Sequence, residues 1–364
     1  MYKRYEMEMN SLVKEQREVY SKNDGYYLNQ INILTEKYYY EENNFKLKFA
    51  ECLQEKSDNL DYYFVLNKLH SFHEMLDNEP GKDRVFDKKF LNEINSFVQN
   101  NLEVISNEHP KIYIIYLVVK MNMTFEDKYL NKLLNYLKNN ESKFTHESLC
   151  YYYHYVRAYY VKKLNRGEKG SLKNAFQILK LMKEKNLFLI EGRITDSEFN
   201  SVVNILLPMK EYKWIDEFIE EYKKYLDSPF SEDAYNLAKA RLYYGKKDYA
   251  EIFRHLNKLD YKEPFYYYNS KFILGRVYFE TGDYKALKYI LDNLRQYVRL
   301  KNNMTSEQIT AIKMYVKYVS SLIKITETSG PESNVLKLVL KKELDMEKSI
   351  VPNKNWFYEK LSGL

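Results

Sequence analysis

Helix breakers are scarce in this chain of 364 residues, which has 10 glycines and 7 prolines against an average usage of about 7% and about 5%. With so few, special turns are rare, and long helices joined by short connections are expected. The same shortage leaves little material for glycine-rich phosphate cradles or strained nucleophile elbows, and neither a dinucleotide fingerprint nor a P-loop occurs. Cysteine is scarcer still: Cys52 and Cys150 cannot make a disulfide framework and suit a reducing compartment. Long apolar runs are missing as well. The longest, Ile112 to Val119, is closed by Lys111 and Lys120 and falls far short of the ~20 residues that a membrane helix needs. The first residues, Met1-Tyr2-Lys3-Arg4-Tyr5-Glu6, are charged and carry no apolar leader. A cytoplasmic protein with no membrane association is therefore expected.

What is present points to a folded, helical chain. Hydrophobic residues make up 45% and charged residues 30%, too much apolar material for a disordered chain. The net charge of +6 is unevenly placed. Eleven Lys/Arg and five Asp/Glu lie between Lys262 and Lys324, so preference for an anionic partner belongs to the C-terminal part. Tyrosine occurs 38 times, in runs such as Tyr38-Tyr39-Tyr40, Tyr151-Tyr152-Tyr153 and Tyr266-Tyr267-Tyr268. An A/T-rich coding sequence accounts for such a bias, and so does a fold with much surface that uses Tyr for its apolar ring and polar tip.

Self-similarity is clearest at Lys271-x2-Leu274-Gly275-x2-Tyr278, Gly282-Asp283-Tyr284 and Leu287-x3-Leu291. The unit before it reads Asn236-x2-Lys239-Ala240-x2-Tyr243, Asp248-Tyr249, Ile252-x3-Leu256, and an earlier one reads Phe199-x2-Val202-Val203-x2-Leu206, Glu211-Tyr212, Ile215-x3-Ile219. Their acidic-Tyr turns are 37 and 35 residues apart. These units resemble the tetratricopeptide repeat, a helix pair with a period of about 34 residues. The resemblance covers residues 195–300 well. It lacks an aromatic at Lys271 and Asn236, and has Leu287 or Ile252 where the family prefers alanine. It implies an all-α fold, a right-handed α-solenoid of about eight such pairs with terminal capping helices. Gly275 and Ala240 are expected to let the two helices of a unit approach closely.

Helix-start signals extend the pattern. Thr195-x2-Glu198 and Thr305-x2-Gln308 have capping-box form, Pro110 and Pro264 suit first-turn positions, and Thr124 and Thr145 are candidate caps. Helix pairs are expected near 24–56, 59–101, 110–139, 145–186, 195–226, 230–260, 264–300 and 305–347, after a lone helix near 2–22. The expected organisation is divergent helical repeats over 1–140, tetratricopeptide-like repeats over 141–347 and a cap over 348–364 carrying Trp356, Phe357 and Leu361, all in one continuous solenoid.

Chemistry-bearing clusters are few. His146-x3-Cys150-x3-His154 places three ligand types on one helical stripe, but the histidines lie about 12 Å apart along the axis, too far to share one ion. His70-x2-His73-Glu74 matches no zinc-protease spacing. The expectation is no metal, no cofactor and no catalysis. In tetratricopeptide proteins the first helix of each pair lines the concave face, and the resemblance puts Asn204, Arg241 and Arg276 at equivalent places there. A further step of 37 reaches Lys313, with Lys317 one turn on, while Asn200, Tyr244 and Asn269 take other places on that face. Such a row can clamp carboxylates or phosphates, and its Asn residues can pair with a ligand backbone. A row of solvated basic residues gives the same spacing. The expected function is a scaffold binding a protein or peptide, with preference for an acidic one. A peptide-responsive or nucleic-acid-associated regulator is the alternative, although no recognition helix is evident in residues 1–56.

Overall fold

A computed structural model describes residues 22–43, 49–78, 86–166, 170–300, 304–347 and 351–364, with residues 11, 20, 168 and 349 beside them. The expected lone helix near 2–22 lies almost entirely outside these. Among the described residues the chain is all-α. It has no strand, only isolated bridges at Ile190–Arg193 and Ile194–Leu226, and no helix is long and apolar enough to cross a membrane. It divides into two compact units, Met1–Leu187 and Phe188–Leu364. The pair at 145–186, grouped above with the repeats, belongs to the first unit.

The first unit holds α1 (Asp24–Asn43), α2 (Phe49–Asn78), α3 (Leu91–Asn100), α4 (Leu102–Glu108), α5 (Pro110–Thr124), α6 (Asp127–Asn139), α7 (His146–Asn165) and α8 (Ser171–Glu184). Its centre is α5. The apolar run too short for a membrane is buried here on every side, from Ile112 to Val119 with Tyr113 the exception, as befits a helix packed against α2, α4, α6 and α7. Where pairs 24–56 and 59–101 were expected, α2 instead runs unbroken through 56–59. The polar residues there do not break it, because Asn59 Nδ2 donates to Glu55 O one turn back and Gln54 donates to Asp58. Beyond them Val65, Leu66, Leu69 and Phe72 form one buried stripe. Thr124 is not a cap of α6. It closes α5 by donating to Lys120 O, and Glu126 stands at the N-cap. A buried junction ties three elements together: Tyr27 Oη of α1 shares a 2.7 Å hydrogen bond with His109 Nδ1, and the imidazole stacks on Tyr62 of α2 at 3.7 Å. Burial, then Lys22, pushes His109 down to about 3, so its ring is neutral at ordinary pH.

The second unit holds α9 (Asp196–Leu206), α10 (Tyr212–Tyr222), α11 (Ser231–Lys246), α12 (Tyr249–Leu256), α13 (Pro264–Thr281), α14 (Tyr284–Leu300), α15 (Ser306–Glu327), α16 (Pro331–Met346) and α17 (Lys354–Gly363). The other local start signals act as their chemistry dictates. Thr145 and Thr195 accept from the amides of Ser148 and Glu198, Thr305 and Gln308 form a complete capping box, and Pro110 and Pro264 open their helices. Each helix packs on the next within the pairs α9–α10, α11–α12, α13–α14 and α15–α16. The first helices also pack in succession, α9 on α11, α11 on α13 and α13 on α15.

First and second helices differ accordingly. The second helices bury one stripe, such as Ile215, Phe218, Ile219 and Tyr222 in α10 or Leu287, Ile290, Leu291 and Leu294 in α14. By contrast α11 is buried continuously from Asn236 to Leu242, polar side chains included. Gly275 serves a neighbour other than the one expected. A Cβ built on it overlaps the hydroxyl oxygen of Tyr315 in the next pair, while Leu287 of its own pair stays at an ordinary 3.5 Å. Tyr315 lies fully buried there and donates to Phe272 O at 2.9 Å. The turn tyrosines likewise reach forward: Tyr212 donates to Gly245 O at 2.6 Å and Tyr249 to Glu280 Oε2 at 3.4 Å.

Candidate functional site

The first helices of the second unit bring most of the sequence-predicted row together. Arg241 on α11 is only 5% exposed. Its guanidinium donates to Asn200 Oδ1 of α9 at 2.8 Å and to Asn269 Oδ1 of α13 at 2.9 Å, so one cation joins the first helices of three successive pairs. The two amides are oriented by their own N–H groups. Asn200 Nδ2 donates to Asp196 O and to Ala234 O, and Asn269 Nδ2 to Phe265 O. Both amide oxygens thereby face the arginine. Burial, and after it the positive charge of Arg276, pushes Arg241 down to about 9, which leaves it charged at neutral pH.

Arg276 on α13 lies one step along. Its guanidinium carbon sits 4.1 Å from the ring centre of Tyr244 on α11, in cation–π contact. The side chain is half-buried and its Nε is buried without a hydrogen-bond partner. Among the described residues neither Arg241 nor Arg276 has a carboxylate within ion-pair distance. Buried lysines of the same chain are treated differently. Lys239, two residues before Arg241, meets Asp216 at 2.5 Å and Glu220 at 2.6 Å, and Lys163 meets Asp127 and Glu168. Removing a cation from water costs several kcal/mol unless opposite charge compensates. Compensation is supplied to the lysines and withheld from the two arginines.

Tyr244 extends the cluster to residues that the sequence did not reveal. Its hydroxyl donates to Glu280 Oε1 at 2.7 Å, where Trp356 Nε1 and Lys360 Nζ of α17 converge, each at 2.9 Å. Burial raises Glu280, but the bonds from Lys360, Trp356 and Tyr244 prevail and hold it below the usual carboxylate range. The helix α17 thus lies against first helices: Trp356 packs edge-on to Phe279 of α13, and Phe357 on Tyr315 and Tyr318 of α15. It leaves Val335, Leu338, Val339 and Met346 of α16 exposed.

The remaining members of the row stand apart. Asn204 and Lys313 are exposed on α9 and α15. Lys317 is drawn away to Glu343 of α16 at 2.8 Å. In the first unit the histidines of the two clusters have separate bonding partners: His146 Nδ1 meets the Cys150 thiol at 3.6 Å, His154 meets Arg157, and His73 meets Asp77. No family model, curated protein or solved structure matches this chain.

Proposed function

We propose that the second unit is a tetratricopeptide-like segment of a right-handed α-solenoid, and that it holds a peptide or protein segment along the face made by α9, α11, α13 and α15. The chain is then a scaffold rather than a catalyst, working in the cytoplasm without cofactor or metal. The observation that carries this reading is the buried Arg241 shared by Asn200 and Asn269, with Arg276 beside it, both cations without a paired carboxylate among the described residues. Succession of first helices supports it, because stacked pairs expose one long surface and each pair contributes side chains at a fixed interval. Asn204 and Lys313, exposed on the same set of helices, extend the row at either end.

Selection from a random decapeptide library tests the reading. Retained peptides should share an acidic residue at one fixed place, and Arg276→Glu should weaken them by about 2–5 kcal/mol with helicity intact. Lys213→Glu and Lys285→Glu, on the exposed sides of second helices, should change affinity by less than about 1 kcal/mol. A library from which nothing is retained, or retention indifferent to Arg276→Glu and lost in the second-helix controls, contradicts it.

A further inference from the structure

Arg276 has an obvious intrahelical partner that it does not use. Glu280 follows it by four residues, the spacing at which opposite charges meet on a helix. No ion pair joins them. Glu280 is instead committed to Tyr244 Oη, Trp356 Nε1 and Lys360 Nζ, with Tyr249 Oη on its second oxygen. Two of these partners come from α17 and two from α11 and α12, so the C-terminal helix shares in fixing where that carboxylate points. The ring of Tyr244 meanwhile covers one face of the Arg276 guanidinium, and its Nε–H is buried without a hydrogen-bond partner. Arg241 adds a second positive charge near enough to repel it, held by the neutral amides of Asn200 and Asn269.

We propose that Arg276, backed by Arg241, is the seat of one oxyanion of the bound ligand, a carboxylate or a phosphate group, and that α17 keeps the seat open by holding Glu280 away from it. The proposal rests on the reading of this face as a binding surface and specifies its anchor. A planar guanidinium edge suits two parallel bonds to either anion, whereas an ammonium acts as a point charge. With α17 released, Glu280 loses Trp356 and Lys360 and turns to Arg276, one helical turn away, filling the seat from within. Docking of α17 and anion binding therefore reinforce each other.

The test uses the full chain and two probes, inorganic phosphate and succinate, titrated at constant ionic strength against chloride. The readouts are the melting temperature and the Arg276 Nε–Hε resonance. At least one probe should give a saturable shift. Phosphate alone identifies a phosphorylated ligand, succinate alone an acidic side chain or chain terminus, and both together the shared chemistry. Arg276→Met should weaken binding about tenfold or more, as expected for a hydrogen bond to a charged group. Arg276→Lys, which keeps the charge and folds on the same stem, should fall between the two. Lys360→Met should also weaken it, and adding Glu280→Gln to Lys360→Met should restore it. Shifts no larger than those of chloride overturn the seat, as does Arg276→Met binding like the unaltered protein. Lys360→Met without effect, or Glu280→Gln without rescue, overturns the role of α17. Peptides retained without acidic preference and with no anion bound remove this seat but leave the face. Anion bound with no peptide retained removes the face but leaves the seat.

Discussion

Replacing Gly275 by alanine isolates the contact that lets one pair pack on the next. In an ordinary helix interior this change stabilises by about 1 kcal/mol, because glycine has more backbone freedom to lose. Here the added Cβ overlaps the Tyr315 hydroxyl, which is fully buried and already bonded to Phe272 O at 2.9 Å. Forcing the ring aside costs about 1–3 kcal/mol of overpacking and about 1 kcal/mol for the buried hydrogen bond. Gly275→Ala should therefore destabilise the second unit by about 1–3 kcal/mol net. In a Tyr315→Phe background the offending oxygen is absent. The Cβ then meets Cζ of that ring at 3.4 Å and Leu287 Cδ1 at 3.5 Å, both ordinary contacts. The same substitution should now be neutral or stabilising by up to about 1 kcal/mol. Urea denaturation of the four proteins, followed by helical circular dichroism, gives the coupling as a double-mutant cycle. A coupling of about 2 kcal/mol or more is expected. Equal effects of Gly275→Ala in both backgrounds would show that Gly275 does not serve Tyr315, and the account of pair-to-pair packing would fail there.

Two further outcomes follow from the charge clusters. Glu220 is raised by burial but lowered more by bonds from Lys223, Lys239 and Tyr235, to about 2 from an ordinary 4.5. Its folded pKa is depressed, so its stabilisation is present above about 4.5 and is lost as pH falls through about 2. The difference in denaturation midpoint between the unaltered protein and Glu220→Gln should be constant from pH 7 to 5 and shrink between 4.5 and 2; a pH-independent difference contradicts this. Removing residues 353–364 uncovers Phe279, Tyr315 and Tyr318 and strips Glu280 of two partners. Light scattering and thermal melts should show association and a lower melting temperature. A truncated protein that is monomeric and equally stable contradicts the role of α17 as a cap.

Local signals were legible in the sequence and distant ones were not. Thr145, Thr195 and Thr305 act on amides within one turn, and Pro110 and Pro264 act through their own fixed φ, so residue type and spacing suffice to place them. The break expected at 56–59 failed because polar residues can satisfy themselves within a helix, as Asn59 and Gln54 do. Repeat spacing singled out Arg241 and Arg276, and the structure places them on the successive first helices α11 and α13. It could not find Glu280 with Trp356 and Lys360, since the indole and the carboxylate that it meets are 76 residues apart. Nor could spacing show that Lys317 is claimed by Glu343, a pairing set by how α16 lies on α15.

Site-specific photocrosslinking tests the central claim most directly. A photoreactive residue is placed singly at Asn204 and Lys313, exposed on first helices, and at Lys213 and Lys285, exposed on second helices. Each protein is irradiated with a decapeptide retained from the library. The account predicts peptide adducts at Asn204 and Lys313, suppressed by Arg276→Glu, and none at Lys213 or Lys285. Adducts confined to Lys213 and Lys285, unchanged by Arg276→Glu, would contradict it and place the ligand on the second helices.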